Sequence, residues 1–311
     1  MHFLLGTAFL AYSLGLRHAF DADHIAAIDN ITRKLMQEGR RPVAVGFFFS
    51  LGHSTIVVAL VLAIAPMTAA VQGHFAALKE IGGVVATAIS ATFLFGIAAA
   101  NIIVLTQIYG ALRAVGKSRR DRPENVDQSL SKSGLLGRLL HPLFALIARS
   151  WHAYPLGLLF GLGFDTATEV GLLGLSAGQA AHGLSIWSIL VFPALFTAGM
   201  SLMDTADSTI MVGTYGWAFV DPIRKLHYNV TVTFASVVAA LVIGSIEALS
   251  LIGDKFALQG PLWRFVALLS ENLGLVGYSL VAFFIVCWIA SYLLYKASGY
   301  DQIQASADPR S

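Results

Sequence analysis

The sequence predicts an all-α fold, a polytopic membrane helix bundle with seven transmembrane helices, the N-terminus outside and the C-terminus cytoplasmic. Three observations predict it. Of the 311 residues, 56% are hydrophobic and only 12% are charged, against about 25% charged in an average soluble domain. Seven apolar runs each approach or exceed the roughly 20 residues that a spanning helix needs. The basic residues between those runs fall mostly on one side, which sets the orientation. The same composition excludes disorder, a collagen-like chain, a disulfide scaffold and an ordinary soluble enzyme. Cys287 has no second cysteine to bridge, and a net charge of +2 is too small to suggest nucleic acid. The first apolar run leads into a charged motif and not a small-residue cleavage site, so no signal peptide is expected.

The runs are 3–31, 43–66, 81–109, 155–181, 186–212, 228–252 and 262–295. Each is read as a helix because backbone polar groups in lipid must be satisfied within their own segment. The loop after the first run holds Arg33, Lys34, Arg40 and Arg41; the linker after the third holds eight bases; Arg224 and Lys225 follow the fifth; Lys296 and Arg310 lie at the tail. That places 16 bases on one side against Lys79, Lys255 and Arg264 on the other, with Arg17 inside a span. The larger set marks the cytoplasm. Residues 110–153 form the one long linker, expected to be a solvated cytoplasmic loop, and 297–311 a polar cytoplasmic tail. Gly116-Lys117-Ser118 resembles the end of a phosphate-binding loop, but five residues separate Gly110 from Gly116 and no strand precedes it. The chain therefore has no ATPase motif.

Acids inside the runs carry the chemistry. An Asp at a helix centre costs about 2.5–3.5 kcal/mol on the insertion scale. Asp21, Asp23, Asp165, Glu169, Asp204 and Asp207 facing lipid would together cost on the order of 15–20 kcal/mol. They must face the interior. Arg17 alone cannot neutralise six carboxylates, so a bound cation is the economical partner. Residues 17–25 run Arg17-His18-Ala19-Phe20-Asp21-Ala22-Asp23-His24-Ile25. Two histidines bracketing two aspartates suit Ni, Co, Zn or Fe(II) better than Mg or Ca. His18 and His24 are six positions apart, about 9 Å along a regular helix. Joint ligation of one ion therefore requires local unwinding.

Other polar groups extend the set. His53 lies in Ser50-Leu51-Gly52-His53-Ser54-Thr55; its plainer role is a core histidine bonded to Ser50 or Ser54. Asp165 and Glu169 stand four apart in the fourth run, and Asp204 and Asp207 three apart in the fifth. Met200 and Met203 beside them are expected to pack and not to ligate. Gly157 and Gly161 form a small-xxx-small pair suited to close packing. Phe20-Asp21-Ala22-Asp23, Phe164-Asp165-Thr166-Ala167 and Met203-Asp204-Thr205-Ala206 hint at an internal repeat.

The stretches Arg17–Ile25, Gly46–Val57, Leu162–Val170 and Phe192–Ser208 together resemble a family of secondary permeases, the nickel/cobalt transporters. The resemblance implies high-affinity uptake of Ni²⁺ or Co²⁺ as substrate across the cytoplasmic membrane, with no other cofactor. It implies that the whole chain, 1–311, is one membrane transport domain, and that His18, Asp23 and His24 are central. His53, Asp165, Glu169, Asp204 and Asp207 match the family's other polar signatures. Family members usually have eight spans with the histidine motif in the second; here it falls in the first. The terminal Met1 amine, the His2 amide and the His2 imidazole are a further candidate square-planar nitrogen site. Efflux and an intramembrane metallohydrolase are the alternatives. The linker has only His141 and His152 where an efflux protein would carry a His-rich loop, and no His-Glu-x-x-His signature exists.

Overall fold

A computed structural model describes residues 2–64, 69–117, 147–162, 167–218 and 222–297. Among the described residues all regular structure is helical: α1 His2–His18, α2 Ala22–Gln37, α3 Val45–Ile64, α4 Ala69–Lys117, a 3₁₀ turn at Ser150–His152, α5 Ala153–Phe160, α6 Ala167–Ala181, α7 Ile186–Ile189, α8 Val191–Ala218, α9 Pro222–Lys255, α10 Pro261–Glu271 and α11 Leu273–Ala297. Among the described residues five stretches are long and apolar enough to cross a membrane: Val45–Ala63, Ile81–Ile103, Ile186–Thr214, Thr233–Lys255 and Leu273–Ala290.

The other two predicted runs are divided. Run 3–31 becomes α1 and α2, and run 155–181 becomes α5 and α6. At the first break the helix tightens, with Phe20 N–H donating to Arg17 O at 3.1 Å and Asp21 N–H to His18 O at 2.8 Å. Asp21 then takes an extended conformation (φ −64°, ψ 140°) from which α2 restarts. Hydropathy does not register such a break, because no proline or glycine marks it. Run 262–295 is likewise divided at Asn272, between α10 and α11. The third run continues as α4 to Lys117, past the expected start of the linker at 110. Arg33, expected in a loop, lies within α2 and is 2% exposed.

The two breaks are held by matching crossings. Tyr12-Ser13-Leu14-Gly15-Leu16 in α1 and Tyr154-Pro155-Leu156-Gly157-Leu158 in α5 share a Tyr-x-Leu-Gly-Leu pattern. Gly15 lies against the backbone of Phe196 in α8, where a Cβ would stand 2.0 Å from the carbonyl oxygen; Gly157 lies against Phe49 in α3 in the same way, also at 2.0 Å. The contacts are reciprocal. Gly199 of α8 faces Tyr12 O and Gly52 of α3 faces Tyr154 O. Each half of the molecule thus contributes a broken helix and a continuous one, and each broken helix packs on the other half's continuous helix. This correspondence is carried by the Tyr-x-Leu-Gly-Leu segments and not by the aspartate motifs: residues 164–166 lie outside the described residues, and residues 203–206 lie within the continuous helix α8. Gly157 and Gly161 pack closely as expected.

Helix α2 sits in the middle, touching α8, α11, α9, α3 and α4. Almost every side chain on it is buried, although many are polar. Apolar packing surrounds it: Ala22, Ile25 and Ala26 with Leu94 and Ile243 on one side, and Ile28, Ile31 and Leu35 with Phe49 and Phe160 on another. Met200 is fully buried beside Phe196 and Leu172, with Met203 packed on the same cluster, so both methionines serve packing.

Candidate metal centre

The break at residues 19–21 brings His18, the last residue of α1, next to His24 in the first turn of α2. His53 enters from α3. The three ring centroids form a near-equilateral triangle: 4.7 Å between His18 and His24, 4.8 Å between His18 and His53, and 4.9 Å between His24 and His53. One ring nitrogen from each lies within 4.8 Å of the others. The rings are 1%, 0% and 2% exposed. The local unwinding that joint ligation by His18 and His24 would require is therefore present.

Carboxylates stand behind the rings. Asp21 Oδ2 lies 2.8 Å from His18 Nδ1, which Thr168 Oγ1 also approaches at 3.0 Å. Asp204 Oδ2 lies 3.3 Å from His24 Nδ1 and accepts from Ser50 Oγ at 2.6 Å. Both rings thus turn Nδ1 to a carboxylate and leave Nε2 for the centre, the arrangement that fixes tautomer and orientation in histidine metal sites. His53 is set differently. Its Nε2 lies 2.8 Å from Glu169 Oε1 and 3.0 Å from His18 Nε2. Glu169, 1% exposed and 3.8 Å from His18 Nε2, belongs to the centre itself. The contact of two imidazole nitrogens at 3.0 Å needs a shared proton or a shared cation. Among the described residues, His24 Nε2, His53 Nδ1 and Asp204 Oδ1 are buried without a hydrogen-bond partner, a state that buried polar atoms rarely occupy.

Of the remaining sequence candidates, Asp23 stays within electrostatic reach of His18, His24 and His53. Asp23 Oδ1 accepts from the His24 backbone N–H at 2.9 Å, so it anchors the start of α2. Asp207, one turn beyond Asp204, is half-buried and its Oδ2 has no hydrogen-bond partner among the described residues. Asp165 and Met1 lie outside the described residues, as does the side chain of His2. His53 does not use Ser50 or Ser54; Ser50 bonds Gly46 O and Asp204 instead.

Sequence reading misses a second polar layer. Asp29, five residues past His24 and so about 7.5 Å further along α2, accepts from Ser236 Oγ at 2.7 Å. Next to it, Asn30 Oδ1 accepts from Arg33 Nη2 at 3.0 Å and from Asn101 Nδ2 at 2.9 Å. The signal is present in the polar face of α2, but placing Arg33 in a loop hides it. Glu247, to which the sequence assigns no role, accepts from Ser90 Oγ at 2.9 Å between α9 and α4.

A family model described as high-affinity nickel-transport protein, NicO, matches residues 4–294. The chain belongs to the NicO family of nickel-transport proteins. This answers the enzyme alternative: the family is one of transporters. Among curated relatives of this NicO chain, the high-affinity nickel transport protein of Cupriavidus necator is 53% identical over 98% of this chain and 87% of its own length. The nickel transporter NixA of Staphylococcus aureus is 46% identical over 95% and 86%. The cobalt transport protein NhlF of Rhodococcus rhodochrous is 45% identical over 93% and 82%. No solved structure matches the NicO chain.

Proposed function

We propose that this NicO protein imports Ni²⁺ and/or Co²⁺ across the cytoplasmic membrane as a secondary permease, with the His18–His24–His53 triangle as the site the ion occupies midway. The observation that carries this is the triangle itself: three buried imidazoles with ring centroids 4.7–4.9 Å apart, backed by Asp21, Asp204 and Glu169. Nitrogen-rich sites with a carboxylate suit first-row metals of this kind. Relatives named for nickel and for cobalt support both substrates.

Counting each broken helix as one crossing gives seven crossings with the N-terminus outside, and the excess of bases in the loops 38–44 and 110–153 supports that orientation. An inside-negative potential then favours inward movement by about 4.6 kcal/mol for a divalent ion at 100 mV. Ligation needs unprotonated ring nitrogens, so the ion competes with protons held among His53, Glu169 and His18, and binding weakens as pH falls. The relatives' names speak of high-affinity transport, which fits uptake, and efflux gains no support from them. The test is uptake of radioactive nickel by cells expressing His18→Ala or His24→Ala. Uptake should fall to background, and wild-type rates in both variants would refute the proposal.

A further inference from the structure

A cavity of about 250 Å³ opens beside the break between α1 and α2. Among the described residues its charged lining consists of Arg17, Asp21, Asp254 and Glu271, a formal net charge of −2. Thr168, Ser250, Ser270 and Asn272 add polar groups. Two of its wall residues touch the metal centre directly: Asp21 through Oδ2 at 2.8 Å and Thr168 through Oγ1 at 3.0 Å, both on His18 Nδ1. Asp21 is 6% exposed. Its other oxygen, Oδ1, accepts no hydrogen bond among the described residues and lies toward Gly274, itself a wall residue, where a Cβ would meet it at 3.3 Å. A buried, half-used carboxylate therefore points into the cavity from the edge of the triangle.

We propose that this cavity is the outer capture site for the hydrated divalent ion, with Asp254 and Glu271 as its cation-binding residues and Asp21 as the group that passes the ion on to His18. The assignment of the cavity to the outer side rests on the import direction proposed above. The volume fits the role. At about 30 Å³ per water, some eight waters fill it, enough for an ion with its six-water shell. The site is built from oxygens, whereas the triangle offers nitrogen, so the two differ in what they ask of the ion. The first takes it hydrated and reads charge. The second needs water stripped away and reads ligand preference. Asp254 and Glu271 come from the end of α9 and the end of α10, elements that carry no part of the histidine motif.

The experiment uses the full chain in lipid nanodiscs and proteoliposomes, with hexaamminecobalt(III) as probe. That ion matches a hydrated cation in size and does not shed its ligands, so it reports the cavity and not the triangle. It should bind the wild type and His18→Ala/His24→Ala alike, and bind Asp254→Asn/Glu271→Gln far more weakly. In nickel uptake the same double variant should raise KM about three- to tenfold, with the change carried by KM and not by Vmax, and should lose much of the salt dependence that a charged funnel imposes. The charge-preserving pair Asp254→Glu/Glu271→Asp should restore binding. Equal binding of the probe by wild type and Asp254→Asn/Glu271→Gln, or none by the wild type, would overturn the inference. Because the probe is read in binding, its result holds even where uptake itself is absent and the import reading fails.

Discussion

At the scale of residues, the centre depends on its props as much as on its ligands. Asp204 orients His24 and receives Ser50. Asp204→Asn keeps the size and the hydrogen bond but removes the charge behind the ring. Groups of this kind typically contribute 10- to 100-fold to metal affinity, so nickel titration of purified Asp204→Asn should show a loss of about that size. Ser50→Ala, which leaves the carboxylate in place, should cost less. Proton release supplies an independent check. Calorimetric titration of nickel in buffers of differing ionisation enthalpy should give heats that track the buffer, and affinity should fall as pH is lowered, because histidine must be deprotonated to ligate. Heats independent of buffer would refute the shared proton at His53. Most of this chemistry is legible in the sequence: His18, His24 and the carboxylates lie in motifs that stand out for their charge, and His53 stands among hydroxyl residues in an apolar run. The partnerships are not. Nothing in the spacing shows that Ser50 serves Asp204 and not its near neighbour His53, or that Asp23 is spent on the backbone N–H of His24, because these depend on contacts between distant segments or on the local turn.

At the scale of elements, the decisive features are the two breaks. Hydropathy reads 3–31 and 155–181 as unbroken, since the residues at 19–21 are apolar or small enough to continue a helix and only Asp21 objects. Helix α11 packs directly against the break at 19–21. Gly277 of α11 lies so close to it that a Cβ would stand 1.7 Å from Phe20 O. Gly277→Ala should push α11 off the break and cost about 1–3 kcal/mol, the range for overpacking a tight contact. Thermal unfolding in detergent should show the lower midpoint, and nickel affinity should fall with it, since His18 and His24 are set by that break. A variant with unchanged midpoint and affinity would show that α11 does not hold the break. The spacing argument anticipates the unwinding itself, because two histidines six apart cannot share an ion on a regular helix. It cannot say which helix packs against it.

At the scale of the whole molecule, the proposed orientation rests on the distribution of bases, and moving Arg33 from a loop into buried α2 leaves that asymmetry intact. The proposed sidedness is tested in intact cells on a Cys287→Ser background. His182→Cys and Gln259→Cys should react with a membrane-impermeant thiol reagent, and Arg40→Cys should react only after the membrane is opened. The reverse pattern would invert the assignment. What the sequence does not display is how the halves interlock. The Tyr-x-Leu-Gly-Leu pattern occurs twice, yet only the reciprocal crossings of Gly15 with Gly199 and Gly157 with Gly52 reveal that each copy packs on the other half.

That interlock has a consequence for biosynthesis. All three imidazoles are made within the first 53 residues, but Thr168, Glu169 and Asp204, which hold them in place, leave the ribosome more than a hundred residues later. A half-made chain therefore carries the histidines without their supports, and α1 has no α8 to lean on. If the triangle is the ion site, it should close only when the second half has been inserted, so that an ion meets a finished site and not a nascent one. Fragments split within the stretch 118–146 should consequently bind nickel when expressed together and not when expressed apart.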